Sequence, residues 1–255
     1  MSHILFDVHD AVAVLTLNRP EKLNALTPDM AETLVARVEE CNARDDIRVL
    51  ILTGAGEKAF CAGSDIAELD TYDTPWAFRN RSEYCDTLRA LRKPAIAAIN
   101  GYALGGGLET AMACDIRIAA AHARLGAPEV KLGWIGGGGM AHGLAHAGGP
   151  SHASLMLMTG DPIDAEQALR WGLVSAVVPA GELLAHAQEI AGRIAQRPPI
   201  AVQTAKANVR AAFTMPQDMA IRYERDLQAI CFATEDAREG RAAFAERRPA
   251  QFRGR

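Results

Sequence analysis

Short apolar runs at residues 11–17, 48–53 and 94–99, with a fourth candidate at 116–120, have the length and composition of β-strands. Helical patterns lie between them. After Thr27, suited to cap a helix, and Pro28, suited to its first position, Met30, Leu34, Val35 and Val38 recur at helical spacing. Residues 76–91 are a second helical candidate, and strands alternating with helices predict an α/β core of repeated βαβ character. From Ser151 onward the chain reads as mostly helical, with helices predicted at residues 164–171, 181–195, 200–213, 217–232 and 234–246. Gly181 and Arg197-Pro198-Pro199 punctuate that stretch. We divide the chain into a core, residues 1–195, and a helical C-terminal region, residues 196–255.

A chain of 255 residues, 49% hydrophobic and 23% charged, is large enough to bury a full core. Its net charge of -4, with Lys and Arg spread along the sequence, argues against nucleic acid as a partner. The N-terminal stretch has no basic segment ahead of its apolar residues, and no apolar run reaches bilayer-spanning length. The expectation is a cytoplasmic protein with no membrane partner. Cys41, Cys61, Cys85, Cys114 and Cys231 are odd in number and widely spaced, which suits buried thiols rather than a metal or disulfide framework.

Chemistry is most strongly suggested by residues 100–115, NGYALGGGLETAMACD, directly after the run PAIAAI. Three glycines, Gly105 to Gly107, precede a helix-forming run, so free N–H groups at a helix start are available to an anion or a developing oxyanion. Glu109 lies one helical turn beyond Gly106 and shares its face; the alternative is a solvated acid favoured by the helix dipole. Residues 53–69, TGAGEKAFCAGSDIAEL, also follow a strand, and Gly54 to Ala59 fit a relaxed dinucleotide fingerprint. No helical pattern opens at Gly56, and no acid ends a following strand at the required distance, so a nicotinamide oxidoreductase is disfavoured. No GxxxxGK[ST] and no GxSxG occur. In residues 123–146, Glu129 follows Pro128 in a stretch without periodicity, where an acid is ordinarily solvated. His142 and His146 have metal-pair spacing but lack the HExxH glutamate and a third ligand, so no metal is expected.

Together these segments resemble the enoyl-CoA hydratase/isomerase, or crotonase, family over nearly the whole chain: LNRPEKLNAL, LTGAGEKAFCAGSDI, KPAIAAINGYALGGGLETAMACDIRIA, LGAPEVKLG, TGDPIDAEQALRWGLVSAVVP and EGRAAFAERRPAQF occur in the family's order. The resemblance implies an α/β fold, a crotonase-like spiral of ββα units with a helical C-terminal region that builds trimers, often paired into hexamers. It implies an acyl-CoA thioester substrate and no cofactor, since coenzyme A is part of the substrate. The family's oxyanion hole falls on the backbone N–H groups of Ser64 and Gly106, and its two acid/base glutamates fall on Glu109 and Glu129. By the same resemblance, Lys22, Leu23 and Ala25 together with Ala62, Asp65 and Ile66 lie near the adenine end of CoA. Phe244 and Arg247 would lie near the CoA of a neighbouring subunit, with Arg247 in place of a more usual lysine.

Retention of both glutamates favours hydration of a 2-enoyl thioester, since two carboxyls can flank one water. The alternatives are an enoyl-CoA isomerase, which needs mainly the base matching Glu129, or another acyl-CoA enzyme of this fold; a non-catalytic RNA-binding or assembly protein is the different class. The chain departs from its relatives after Ile135, where Gly136 to Gly139 replace a proline-led segment, and at the bulky Trp134. Those changes bear on the acyl group accepted.

Overall fold

The computed structural model describes residues 2–69, 72–81 and 83–255. The chain opens with the antiparallel hairpin β1 (Ile4–His9) and β2 (Val12–Leu17), then α1 (Pro28–Ala43), capped by the Thr27 side chain on Met30 N. Next come β3 (Val49–Gly54), β4 (Ala59–Cys61) and three short helices, α2 (Ile66–Leu69), α3 (Pro75–Arg79) and α4 (Tyr84–Ala90). A second unit follows, β5 (Ala95–Ile99), β6 (Tyr102–Leu104) and α5 (Gly106–Ala113), and a third, β7 (Ile116–Ala120), β8 (Arg124–Gly126), α6 (Met140–Gly148) and α7 (Pro150–Thr159). The remainder is β9 (Ile163–Asp164), α8 (Ala165–Arg170), β10 (Ala176–Val178), α9 (Leu183–Ala195), α10 (Pro199–Thr214), α11 (Gln217–Ala233) and α12 (Glu235–Glu246).

Two sheets result. One has the order β1-β2-β3-β5-β7-β10 and the other β4-β6-β8-β9. From β3 to α6, each turn of chain lays one strand in the first sheet and the next in the second before a helix returns it, which is the spiral of ββα units. The apolar runs were visible because their strands are covered on both sides. In β3, Val49 and Ile51 face Leu183, Ala187 and Ala191 of α9, while Leu50 and Leu52 join the central cluster with Met30, Leu34 and Val38 of α1. Full burial of such a side chain contributes about 1.5–3 kcal/mol relative to exposure.

The four predicted strands are present with ends shifted by at most a residue, whereas β4, β6, β8, β9 and β10, of two or three residues each, were missed. So was β1, in which only Ile4 is buried and exposed residues alternate with half-buried ones after it. The single helix predicted over residues 76–91 is instead α3 and α4. Asn80 Nδ2 donates to Trp76 O at the end of the first, and Glu83 caps Cys85 N at the start of the second, so side chains compete with the helix ladder at the break; residue 82 lies outside the described residues. Likewise β9 and β10 interrupt the stretch after Ser151, and both sit at sheet edges too short to show a period. Asp164 and Thr234, read as first helical residues, are N-caps, bonding Gln167 N and Ala237 N.

One buried side chain binds the early loop to the spiral. Asn24, fully buried at φ 56°, accepts from Arg19 N (2.9 Å) and donates to Ala55 O (3.0 Å) and Ala59 O (2.7 Å). Asn24→Ala removes all three bonds and places a less tolerant residue in left-handed backbone, so urea unfolding should show a loss of about 2–4 kcal/mol. An unchanged midpoint would contradict this role.

Candidate active site

The site begins with two backbone amides. Leu26 N donates to Gly63 O (2.8 Å) and Asp65 N to Leu26 O (2.8 Å), so the bridge between these segments uses the groups on either side of the Ser64 N–H and leaves it out. Gly106 opens α5, where first-turn amides have no intrahelical acceptor. A Cβ built on Gly63 would stand 3.2 Å from Gly106 N, and one on Gly106 would stand 3.6 Å from Ser64 N. Among the described residues neither N–H donates within the chain. Two adjacent free amides can hold a developing oxyanion.

Glu109 stands in the first turn of α5 but is not a solvated capping acid. It is only 7% exposed, and its Oε1 accepts from Gly138 N (2.7 Å) and Met140 N (3.3 Å) at the start of α6. Two of the four glycines after Ile135, Gly136 and Gly138, thereby acquire a reason. A Cβ on Gly136 would stand 2.6 Å from Glu109 Oε1, and one on Gly138 would stand 2.7 Å from Oε2, so the carboxyl occupies the space that side chains would need.

Glu129, whose segment taken alone suggests a solvated acid, lies in a 3-10 turn, Pro128–Leu132, and is 8% exposed. Its carboxyl packs against Gly105, whose backbone is left-handed (φ 54°) and whose Cβ would stand 3.0 Å from Oε1. Its Oε2 is buried with no hydrogen-bond partner. Burial raises both carboxyl pKa values above the usual 4.5; for Glu109 the amides of Gly138 and Met140 oppose the rise, and the charges of Glu129 and Glu83 add to it.

These groups meet in a cleft of about 180 Å³ lined by Ser64, Gly106, Glu109 and Glu129, with Ile66, Leu69, Phe78, Leu132, Trp134 and Ile135 as apolar wall. Ala62 lines it too. Ala62 N donates to Leu23 O (3.0 Å), which joins the Lys22, Leu23 and Ala25 loop to the cleft rim. The Asp65 carboxylate is bound to Arg19 (2.6 Å), which holds its pKa down, and to Ala67 N. Phe244 and Arg247 are exposed on and just after α12, and neither lines this cleft. Tyr84, Arg81 and Glu83 also line it and have no signature in the sequence, whose pattern over residues 76–91 predicts one continuous helix. Gly54 to Ala59 lead into strand β4, not into the helix a dinucleotide turn requires. His142 and His146 contact each other edge to face on α6.

A buried acid with a raised pKa makes the folded protein hold more protons than the unfolded chain, so stability is fully present below the unfolded value and falls as pH rises through the folded one. Glu129→Gln removes that penalty and also one cause of the rise at Glu109. Thermal unfolding should therefore show a higher Tm for Glu129→Gln at pH 7, with the gap closing as pH falls to 4.5. A lower Tm at pH 7 would contradict the burial assigned to this carboxyl.

The family model for enoyl-CoA hydratase/isomerase matches residues 7–255. The chain is 40% identical over 253 residues to the crotonyl-CoA hydratase of Syntrophomonas wolfei, covering 98% of this chain and 97% of that one. It is 39% identical over 251 residues to the short-chain-enoyl-CoA hydratase of Clostridium acetobutylicum, covering 97% and 96%. Among solved structures, an enoyl-CoA hydratase from Bacillus anthracis superposes with a TM-score of 0.94 at 36% identity over the full length of both chains.

Proposed function

The chain belongs to the enoyl-CoA hydratase/isomerase family, and from that premise we propose that it is an enoyl-CoA hydratase, a hydro-lyase that adds water across the 2,3 double bond of an enoyl-CoA thioester. The observation that carries this reading is the pair of buried carboxyls beside two unengaged amides. Glu109, with amide donors on one oxygen, is the better carboxylate and takes a proton from water as the oxygen bonds to the β-carbon. The double-bond electrons move toward the thioester oxygen, which accepts from Ser64 N and Gly106 N. Glu129, whose buried Oε2 lacks a donor, delivers a proton to the α-carbon. Return of the proton from Glu109 to Glu129 restores both groups, and the net change is addition of one water.

Coenzyme A enters as part of the substrate, and this chemistry draws on no separate cofactor or metal. Its adenine end lies along Lys22, Leu23 and Ala25 and across Ala62, Asp65 and Ile66; the backbone bonds joining these segments into one surface support that placement. Phe244, 87% exposed, and Arg247 serve the CoA of a neighbouring copy in a trimer or dimer of trimers. The exposed Val209, Phe213, Ile230 and Phe232 on the C-terminal helices support assembly. Among the described residues no helix is long and apolar enough to cross a membrane. Free thiols at all five cysteines support a reducing, cytoplasmic setting.

With crotonyl-CoA, Glu109→Gln and Glu129→Gln should each lower kcat by about 10²-fold or more while acyl-CoA affinity changes little. The isomerase alternative has a different signature: Glu129→Gln would stop migration of the double bond in a 3-enoyl-CoA, and Glu109→Gln would leave most of it. Full hydration by Glu109→Gln would remove the two-glutamate mechanism. Light scattering at micromolar concentration should report three or six copies, and a stable monomer would refute the assembly.

A further inference from the structure

Tyr84 has a place in this geometry that the scheme of two glutamates and two amides leaves unused. It is the first residue of α4, 8% exposed, and it lines the cleft that Ser64, Gly106, Glu109 and Glu129 line. A Cβ built on Gly106 would stand 2.7 Å from the Tyr84 hydroxyl and 3.6 Å from Ser64 N, so the phenol oxygen and both free amides converge on one region. Among the described residues the hydroxyl has no hydrogen-bond partner. A phenylalanine would pack here equally well without a polar group to satisfy. The Tyr84 hydroxyl borders the cleft and is free to bond a group that enters it.

Resting on the hydratase reading above, we propose that the Tyr84 hydroxyl is a third hydrogen-bond donor to the thioester oxygen, beside the Ser64 and Gly106 amides. The O–H bond stays intact, and the contact strengthens as negative charge grows on the carbonyl oxygen during attack at the β-carbon. Burial, reinforced by the nearby thiols and carboxylates, raises the Tyr84 pKa, so the group keeps its proton and acts as a donor across the working range of pH. Unlike the two amides, this donor is a side chain and can be removed alone.

The test compares wild type with Tyr84→Phe in crotonyl-CoA hydration, in thermal unfolding, and in the infrared band of bound butyryl-CoA labelled with 13C at the thioester carbonyl. The variant should lose at least about tenfold in kcat, short of the 10²–10³-fold seen when an oxyanion hole loses a principal donor, with KM within about twofold. Its carbonyl band should move toward that of free butyryl-CoA, and Tm should stay level or rise, since the lost hydroxyl had no partner. A folded variant with wild-type kcat and band position overturns the proposal, as does a lower kcat with an unmoved band. If Tyr84→Phe does not fold, incorporation of 3-fluorotyrosine keeps the ring and strengthens the donor; the band should then move further from the free position, and an unmoved band overturns the proposal. Wild type that neither hydrates crotonyl-CoA nor binds butyryl-CoA would instead defeat the hydratase reading itself.

Discussion

Two chain segments can bring their amides side by side only where no side chain stands between them, and the approach of Gly63 to Gly106 is the constraint on which this site depends. Parallel pairing of β4 with β6, Ala59 opposite Tyr102 and Cys61 opposite Ala103, delivers both segments to the same end of the small sheet. Leu26 then occupies the backbone groups flanking Ser64, and the start of α5 frees Gly106. Glu109 follows within the first turn of that helix, and Glu129 rests against Gly105 at its cap. The carboxyls are thus positioned by the elements that free the amides.

Placing two acids in one buried wall is unfavourable, and the chain offsets it unequally. Glu109 receives two amides at the positive end of α6, which the glycines at 136 and 138 make room for. Glu129 receives no donor at Oε2. Local stability is given up at the carboxyl left unsatisfied, and the surrounding structure supports it. Beside the cleft, the Arg19–Asp65 ion pair and the buried Asn24 hold the early loop against the segments after β3 and β4. Farther off, Lys206 of α10 pairs with Asp115 at 2.7 Å and donates to Lys93 O, fastening α10 to the chain just before β5 and β7.

The strands buried on both faces were legible because each reads as an unbroken apolar run, and the long C-terminal helices because their caps and period are strong. The second sheet was not, since strands of two or three residues carry no period. That sheet brings the Ser64 and Gly106 loops together, so the pairing of their amides has no signature in the sequence pattern. The break between α3 and α4 was equally hidden: it depends on side-chain bonds by Asn80 and Glu83 that compete with a helix ladder the pattern alone favours.

By itself the sequence determined an α/β chain with a helical end, and it pointed to the glycine turn before Glu109 and, through family resemblance, to Glu129. These follow from local propensity, from the burial pattern of each segment and from motif order. Only the tertiary structure decided that the two carboxyls are buried rather than solvated, that Gly136 and Gly138 leave room for Glu109, and that Tyr84 stands beside the amides. Desolvation and steric exclusion depend on which segments lie against one another, and contacts across 29 residues between Glu109 and Gly138 have no local signature in either segment.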